Sequence, residues 1–150
     1  MAEIKKQALF EALGGLPTLQ RVHKIFYDKV YAHPWLGKFF EGHSQTAIEA
    51  RQTSFMAEKM GSDKPYYGKD MKMAHRQMYI TPELFELRHE LLRESIREAG
   101  VPEELAQRWL KIDSAFYRQI VKDSIESFYA WSWKYETRVI VPRPRQPLAG

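Results

Sequence analysis

The sequence contains no cysteine. That excludes disulfides, thiolate metal sites and thioether attachment of a cofactor through a CxxCH motif. Long apolar runs are missing too, so no segment has the length of a membrane span. The N-terminus, "MAEIKKQALF", lacks the apolar stretch of a secretion signal, and a cytoplasmic chain is expected. There is no HExxH, no P-loop and no GxSxG, which removes the usual motifs for zinc hydrolysis, phosphate cradling and serine nucleophiles. Strand-like alternation is absent until "TRVIVP" near the end. Charge is nearly balanced, with 23 Lys and Arg against 19 Asp and Glu. The basic residues are spread beside acidic ones, without the concentrated stripe of a nucleic-acid reader.

What remains is a chain able to build a core. Hydrophobic residues make up 44% and aromatics 13% of 150 residues, which suits one compact domain and argues against disorder. The apolar spacing is helical nearly throughout. Leu9, Phe10 and Leu13 mark a short helix stopped by Gly14-Gly15. Pro17 opens a second, striped by Leu19, Val22, Phe26 and Val30. "AHPWLGKFFEG" makes a corner, and Ser44 is a candidate N-cap for a third helix with Ile48, Gln52, Phe55, Met56 and Met60 facing inward. A loop from Gly61 to about Lys69 leads to a helix carrying His75. Thr81-Pro82 starts the next, with Leu84, Leu87 and Leu91 on one stripe. "AGVPEEL" separates it from a last helix in which Leu105, Trp109, Ile112, Phe116 and Ile120 keep helical spacing. The tail "PRPRQPLAG" reads as extended or disordered.

Three polar groups sit on apolar faces. His75 shares a face with Met71, Ala74 and Met78 at i, i+3, i+4, i+7 spacing. Burying an imidazole costs free energy unless its nitrogens are paired, so a core histidine bonded to a carbonyl is the plain reading. Gln52 lies between Ile48 and Phe55, and its plain reading is an amide turned to solvent. Tyr27 borders the Phe26 stripe, where half-buried tyrosines with a wet hydroxyl are common. Taken together, one neutral imidazole in an apolar cavity could hold an axial position of an iron, with two donors opposite it.

The ordered pieces resemble the truncated haemoglobins, or two-over-two globins, most of all their first group. The likeness rests on "LGG" (13–15), "FYDKVYAHPWLGKFF" (26–40), Gln52, Phe55, "PYYG" (65–68), the His75 to Thr81 stretch and "AGVP" (99–102). It implies an all-α, globin-like, two-over-two helical sandwich enclosing a haem, with the globin domain at 7–126. The stretches 1–6 and 127–150 would be extensions. It also implies haem b (iron protoporphyrin IX) without a covalent link and His75 as proximal iron ligand. Tyr27 and Gln52 would be distal hydrogen-bond donors to a bound ligand. The remaining lining would come from Phe39, Phe40, Ile48, Phe55, Met56, Met71, Met78, Ile80 and Phe85, with Arg51 near a haem propionate. The ligands implied are dioxygen, NO or CO, on a monomer or weak dimer. The alternative is a haem enzyme, a nitric oxide dioxygenase or peroxidase-like protein, served by an external reductase. Two departures stand out. Ile48 occupies the place of a distal histidine in many globins, and Arg88 stands where relatives often carry an apolar residue or tryptophan.

Overall fold

The computed structural model describes residues 8–132 and 137–144. The expected N-terminal extension 1–6 and the end of the tail lie outside them. α1 (Leu9–Leu13) ends at Gly14, whose φ of 99° is the left-handed cap that Gly supplies without strain. α2 (Leu16–Ala32) starts with Pro17 in its first turn and buries Leu19, Val22, Phe26 and Val30. A 3-10 turn (Leu36–Phe40) carries the corner. Gly37 is required there: a Cβ would lie 2.7 Å from the Tyr31 carbonyl. α3 (Gln45–Lys59) is capped by Ser44, whose hydroxyl accepts from the Ala47 N–H. α4 (Met71–His75) is one turn capped by Asp70. α5 (Pro82–Glu98) is capped by Thr81, and α6 (Glu103–Ser114) follows the Gly100 turn.

α2 packs against α3 and α5, and α5 packs against α6, giving two crossed helix pairs. The core between them holds Leu19, Val22, Phe26, Leu84, Leu92, Ile96 and Trp109, all at most 2% exposed. A smaller cluster of Phe85, Ile120 and Val121 lies beyond it, and Ile80 touches both.

Two expectations change, and one stretch that carried no assigned element gains one. The last helix does not run through Ile120. It tightens at Ala115 and Phe116, where the Phe116 N–H bonds back three residues to Asp113, and resumes as α7 (Tyr117–Ile120). That turn brings Phe116 within 5.3 Å of the Phe55 ring. The helix of His75 stops at His75, so Met78 is not on it. Met78 lies in an extended stretch that forms a parallel bridge with Val139. Backbone bonds from Val139 N–H to Gln77 and from Tyr79 N–H to Val139 pull this segment straight. Finally, part of the C-terminal stretch is ordered as α8 (Ile125–Trp131), whose Phe128 is fully buried.

Candidate functional site

His75 ends α4, and its ring is oriented by that turn. Nδ1 lies 2.8 Å from the Met71 carbonyl. A carbonyl only accepts, so Nδ1 carries the hydrogen. A neutral imidazole has one such hydrogen, which leaves a lone pair on Nε2. Burial is the main force on this group and lowers its pKa from 6.5 to about 4, against the Met71 bond that raises it. The ring is therefore neutral at pH 7, as a metal ligand must be. Nε2 has no hydrogen-bond partner among the described residues. Around it Met71, Ala74, Met78 and Ile80 stay half-buried although three of the four are strongly apolar. Apolar side chains left partly exposed on several sides are what the walls of an open apolar cleft present.

Tyr27 sits on α2 at 5% exposure, ringed by Phe26 (4.8 Å), Phe40 (6.0 Å) and His23 (6.3 Å) between ring centres. Burial pushes its phenol up to about 12, so it stays protonated and can donate. Its hydroxyl has no partner among the described residues, whereas Tyr31 bonds the His43 carbonyl and Tyr66 the Lys69 carbonyl. The Trp109 indole N–H is the sealed side-chain polar atom left unpaired among those residues. The Tyr27 oxygen is not among such sealed, unpaired atoms. Gln52 repeats the pattern. It is half-buried with its amide unspent, while Gln45 on the same helix gives its amide to Asp28 and Glu49.

The other predicted residues divide. Tyr27, Phe39 and Met56 belong to the main core, with Phe40, Ile48, Met78 and Ile80 packed on it. Phe85 belongs to the smaller cluster with Met71 and Ile80 against it. Phe55 is buried and meets Tyr66 and Phe116. Arg51 is exposed and makes no hydrogen bond among the described residues.

Sequence reasoning missed a charged network. Arg88 Nη1 lies 2.8 Å from both oxygens of Asp113, and His89 Nδ1 is 2.8 Å from Oδ2. The guanidinium also sits 5.3 Å from the Phe26 ring centre. Desolvation works against the Asp113 carboxylate, but Arg88 beside it holds its pKa below the usual range. The Arg88 charge lowers the pKa values of His23, Tyr27 and His75 alike. It was also missed that His23 is core: Nδ1 pairs with the Thr53 hydroxyl at 2.7 Å, and burial brings its pKa down to about 3. Lys122, which reads as surface by type, is 1% exposed, and desolvation lowers it to about 8.

A cleft of about 840 Å³ opens on the other face of α3, lined by Phe10, Leu16, Lys24, Thr46, Glu49 and Ala57 among others, and holds none of the predicted site residues. Among the described residues no group of three or more His, Cys, Asp or Glu is placed to hold a metal, and no helix is long and apolar enough to cross a membrane.

Comparison with known proteins gives the family. The profile of the bacterial-like globins matches residues 8–121. The group 1 truncated haemoglobin of Tetrahymena pyriformis is 29% identical over 108 residues, covering 72% of this chain and 89% of that protein. The crystal structure of the truncated haemoglobin from Tetrahymena pyriformis, Fe(III) form, superposes with a TM-score of 0.72 at 26% identity. It covers 78% of this chain and all of that one. The 2/2 haemoglobin of Synechococcus sp. PCC 7002, solved in the cyanomet state with covalently attached haem, gives 0.67 at 25% identity over 72% of this chain and 91% of that one. The helical architecture and the family match over residues 8–121 agree, and the chain belongs to the bacterial-like globin family, with the two-over-two fold of the truncated haemoglobins.

Proposed function

We propose that this chain is a haem protein that takes a diatomic gas, with His75 as the proximal ligand and Tyr27 and Gln52 as distal donors. Haem is the cofactor of its family, and when bound it would supply an iron that the protein holds and that can take a gas such as dioxygen. The observation that carries the reading is the tautomer of His75, with Nδ1–H spent on Met71 and a neutral Nε2 left unpaired in apolar surroundings. That is the state an iron-ligating imidazole needs, and the backbone bond fixes both tautomer and ring direction.

On the other side the chain holds two unspent donors. A buried, protonated phenol and a primary amide would stabilise partial negative charge on a ligand more than water would, because the surroundings are apolar. Phe39, Phe40, Ile48, Phe55 and Met56 exclude water there, while Met71, Met78, Ile80 and Phe85 line the proximal side. Arg51, exposed on α3, is free to reach a propionate. Ile48 supplies no nitrogen that could compete with a gas for the iron.

Hydrogen bonds to a charged ligand are worth about 1.5–3 kcal/mol, enough to slow dissociation by one to two orders of magnitude per donor. Slow release makes scavenging, or chemistry with NO fed by an external reductase, a better use than bulk carriage. Stopped-flow oxygen dissociation tests it. Tyr27→Phe raises the rate more than tenfold, and an unchanged rate would remove Tyr27 from this role.

A further inference from the structure

The residues that follow α7 hold the backbone around His75 from outside. Lys122 bonds this segment at both ends. Its ammonium donates to the His75 carbonyl at 2.5 Å, and its backbone N–H donates to the Ile80 carbonyl at 2.9 Å. Val139 holds the middle, donating to the Gln77 carbonyl at 2.7 Å and accepting from the Tyr79 N–H at 2.8 Å. Phe128 of α8 packs on the Tyr79 ring at 5.4 Å between centres. The same stretch is tied down elsewhere. The Trp35 indole donates to the Val141 carbonyl at 3.0 Å, and Arg143 lies 3.4 Å from Glu83 at the start of α5. Lys122, Phe128, Val139, Val141 and Arg143 lie beyond residue 121, where the family match ends.

The need for such ties is physical. α4 has five residues, and a helix of one turn does not stand alone in water. Its last carbonyls have no helical partner. The His75 carbonyl accepts from the Met78 N–H at 3.0 Å, and the Lys122 cation adds a second bond to the same oxygen and suits the helix dipole. Since the imidazole is bonded to the Met71 carbonyl, its direction follows the backbone of 71–75.

We propose that residues 122–132 and 137–144 supply a proximal strap, in which Lys122 and the Val139 bridge hold the chain just after His75 and so fix the direction of Nε2. Lys122 and Val139 are positioning residues and touch neither iron nor gas. The proposal rests on the reading of His75 as the haem ligand, and it adds a determinant of iron–histidine geometry that lies outside the globin match.

The test uses the full chain and four variants: Lys122→Met, Lys122→Arg, Val139→Pro, and Ile96→Val as a core control. The control is chosen because Ile96 is fully buried and lies at the far end of α5 from Thr81. Resonance Raman of the ferrous haem protein reads the iron–histidine stretch, and transfer to an acceptor globin reads haem loss. Lys122→Met and Val139→Pro are expected to shift or broaden the stretch and to speed haem loss about tenfold, the scale of one charge-assisted hydrogen bond. Lys122→Arg keeps the wild-type band, and Ile96→Val lowers the melting temperature without moving it. An unmoved band and unchanged haem loss in both strap variants overturns the proposal. So does a control that moves the band equally. Amide exchange in the haem-free chain reads the strap without the cofactor: Tyr79 is protected in the wild type and exposed in Val139→Pro. A Tyr79 amide that is open in the wild type overturns the strap itself, whereas failure of the wild type to bind haem overturns only the reading of His75.

Discussion

The two walls of the proposed haem site are built by different means. Tyr27 lies in the middle of a 17-residue helix and is placed by burial among aromatic rings. His75 ends a helix of five residues, is half-buried, and is placed by hydrogen bonds. One wall is the face of a core that would exist without any ligand. The other is a short piece of backbone held by threads from far along the chain. Packing can preorganise donors at no cost beyond leaving them unpaired. A ligating side chain on a one-turn helix needs outside support, because local helix formation does not supply it.

The strongest way to break the comparison is to disturb the ion pair beneath the distal wall. Asp113→Leu leaves the half-buried Arg88 without its carboxylate partner, and the expected loss is roughly 3 kcal/mol. Urea unfolding measures it. Arg88→Leu/Asp113→Leu together should recover most of the stability, since no uncompensated charge remains. A silent Asp113→Leu would mean that the wall does not rest on this pair.

Acid acts on the same wall. Folding holds His23 neutral, with its pKa lowered to about 3. Below its ordinary 6.5 the unfolded chain therefore binds a proton that the folded chain refuses. This contribution is complete above pH 6.5 and shrinks as pH falls toward 3, by roughly 3 kcal/mol at pH 4. In His23→Leu/Thr53→Val the slope of stability against pH between 4 and 6 should drop by about one proton. An unaltered slope would show that His23 titrates freely.

The same division marks what the sequence could reveal. Gly14, Pro17, Ser44 and Thr81-Pro82 announce helix ends through local chemistry, and the structure places caps or first turns at each. His75, Tyr27 and Gln52 stood out because polar groups on apolar faces are unusual, and all three prove to have an unspent donor or acceptor. The Thr53 partner of His23 and the pairing of Arg88 with Asp113 were not legible. They are contacts between residues 30 and 25 positions apart, and periodicity shows only that a residue faces inward, not what it meets. Lys122 was hidden by its type, since lysine is almost never buried unless paired. The bridge from Val139 to Met78 was half legible: "TRVIVP" shows strand-like alternation, but its partner around Met78 is distant in sequence and too short to show a strand pattern.

Smaller perturbations sharpen the contrast. Asp70 caps α4 by accepting from the Met73 N–H at 2.8 Å. Asp70→Ala should cost about 1 kcal/mol or less globally. It should speed haem loss more than it lowers the urea midpoint, because the turn it frays carries His75. A midpoint that falls in step with haem retention would make the proximal turn part of the common core. Tyr27→Phe is the mildest for the fold. Its hydroxyl has no partner to lose among the described residues, so the unfolding free energy should stay within about 0.5 kcal/mol of wild type while oxygen release quickens.

The central claim is that His75 ligates the iron, and titration of the haem-free protein with hemin tests it most directly. The wild type should develop a sharp Soret band at one haem per chain, and His75→Ala should lose or greatly weaken it, with added imidazole restoring the ligated spectrum. A His75→Ala protein that keeps the wild-type band and haem affinity would contradict the assignment.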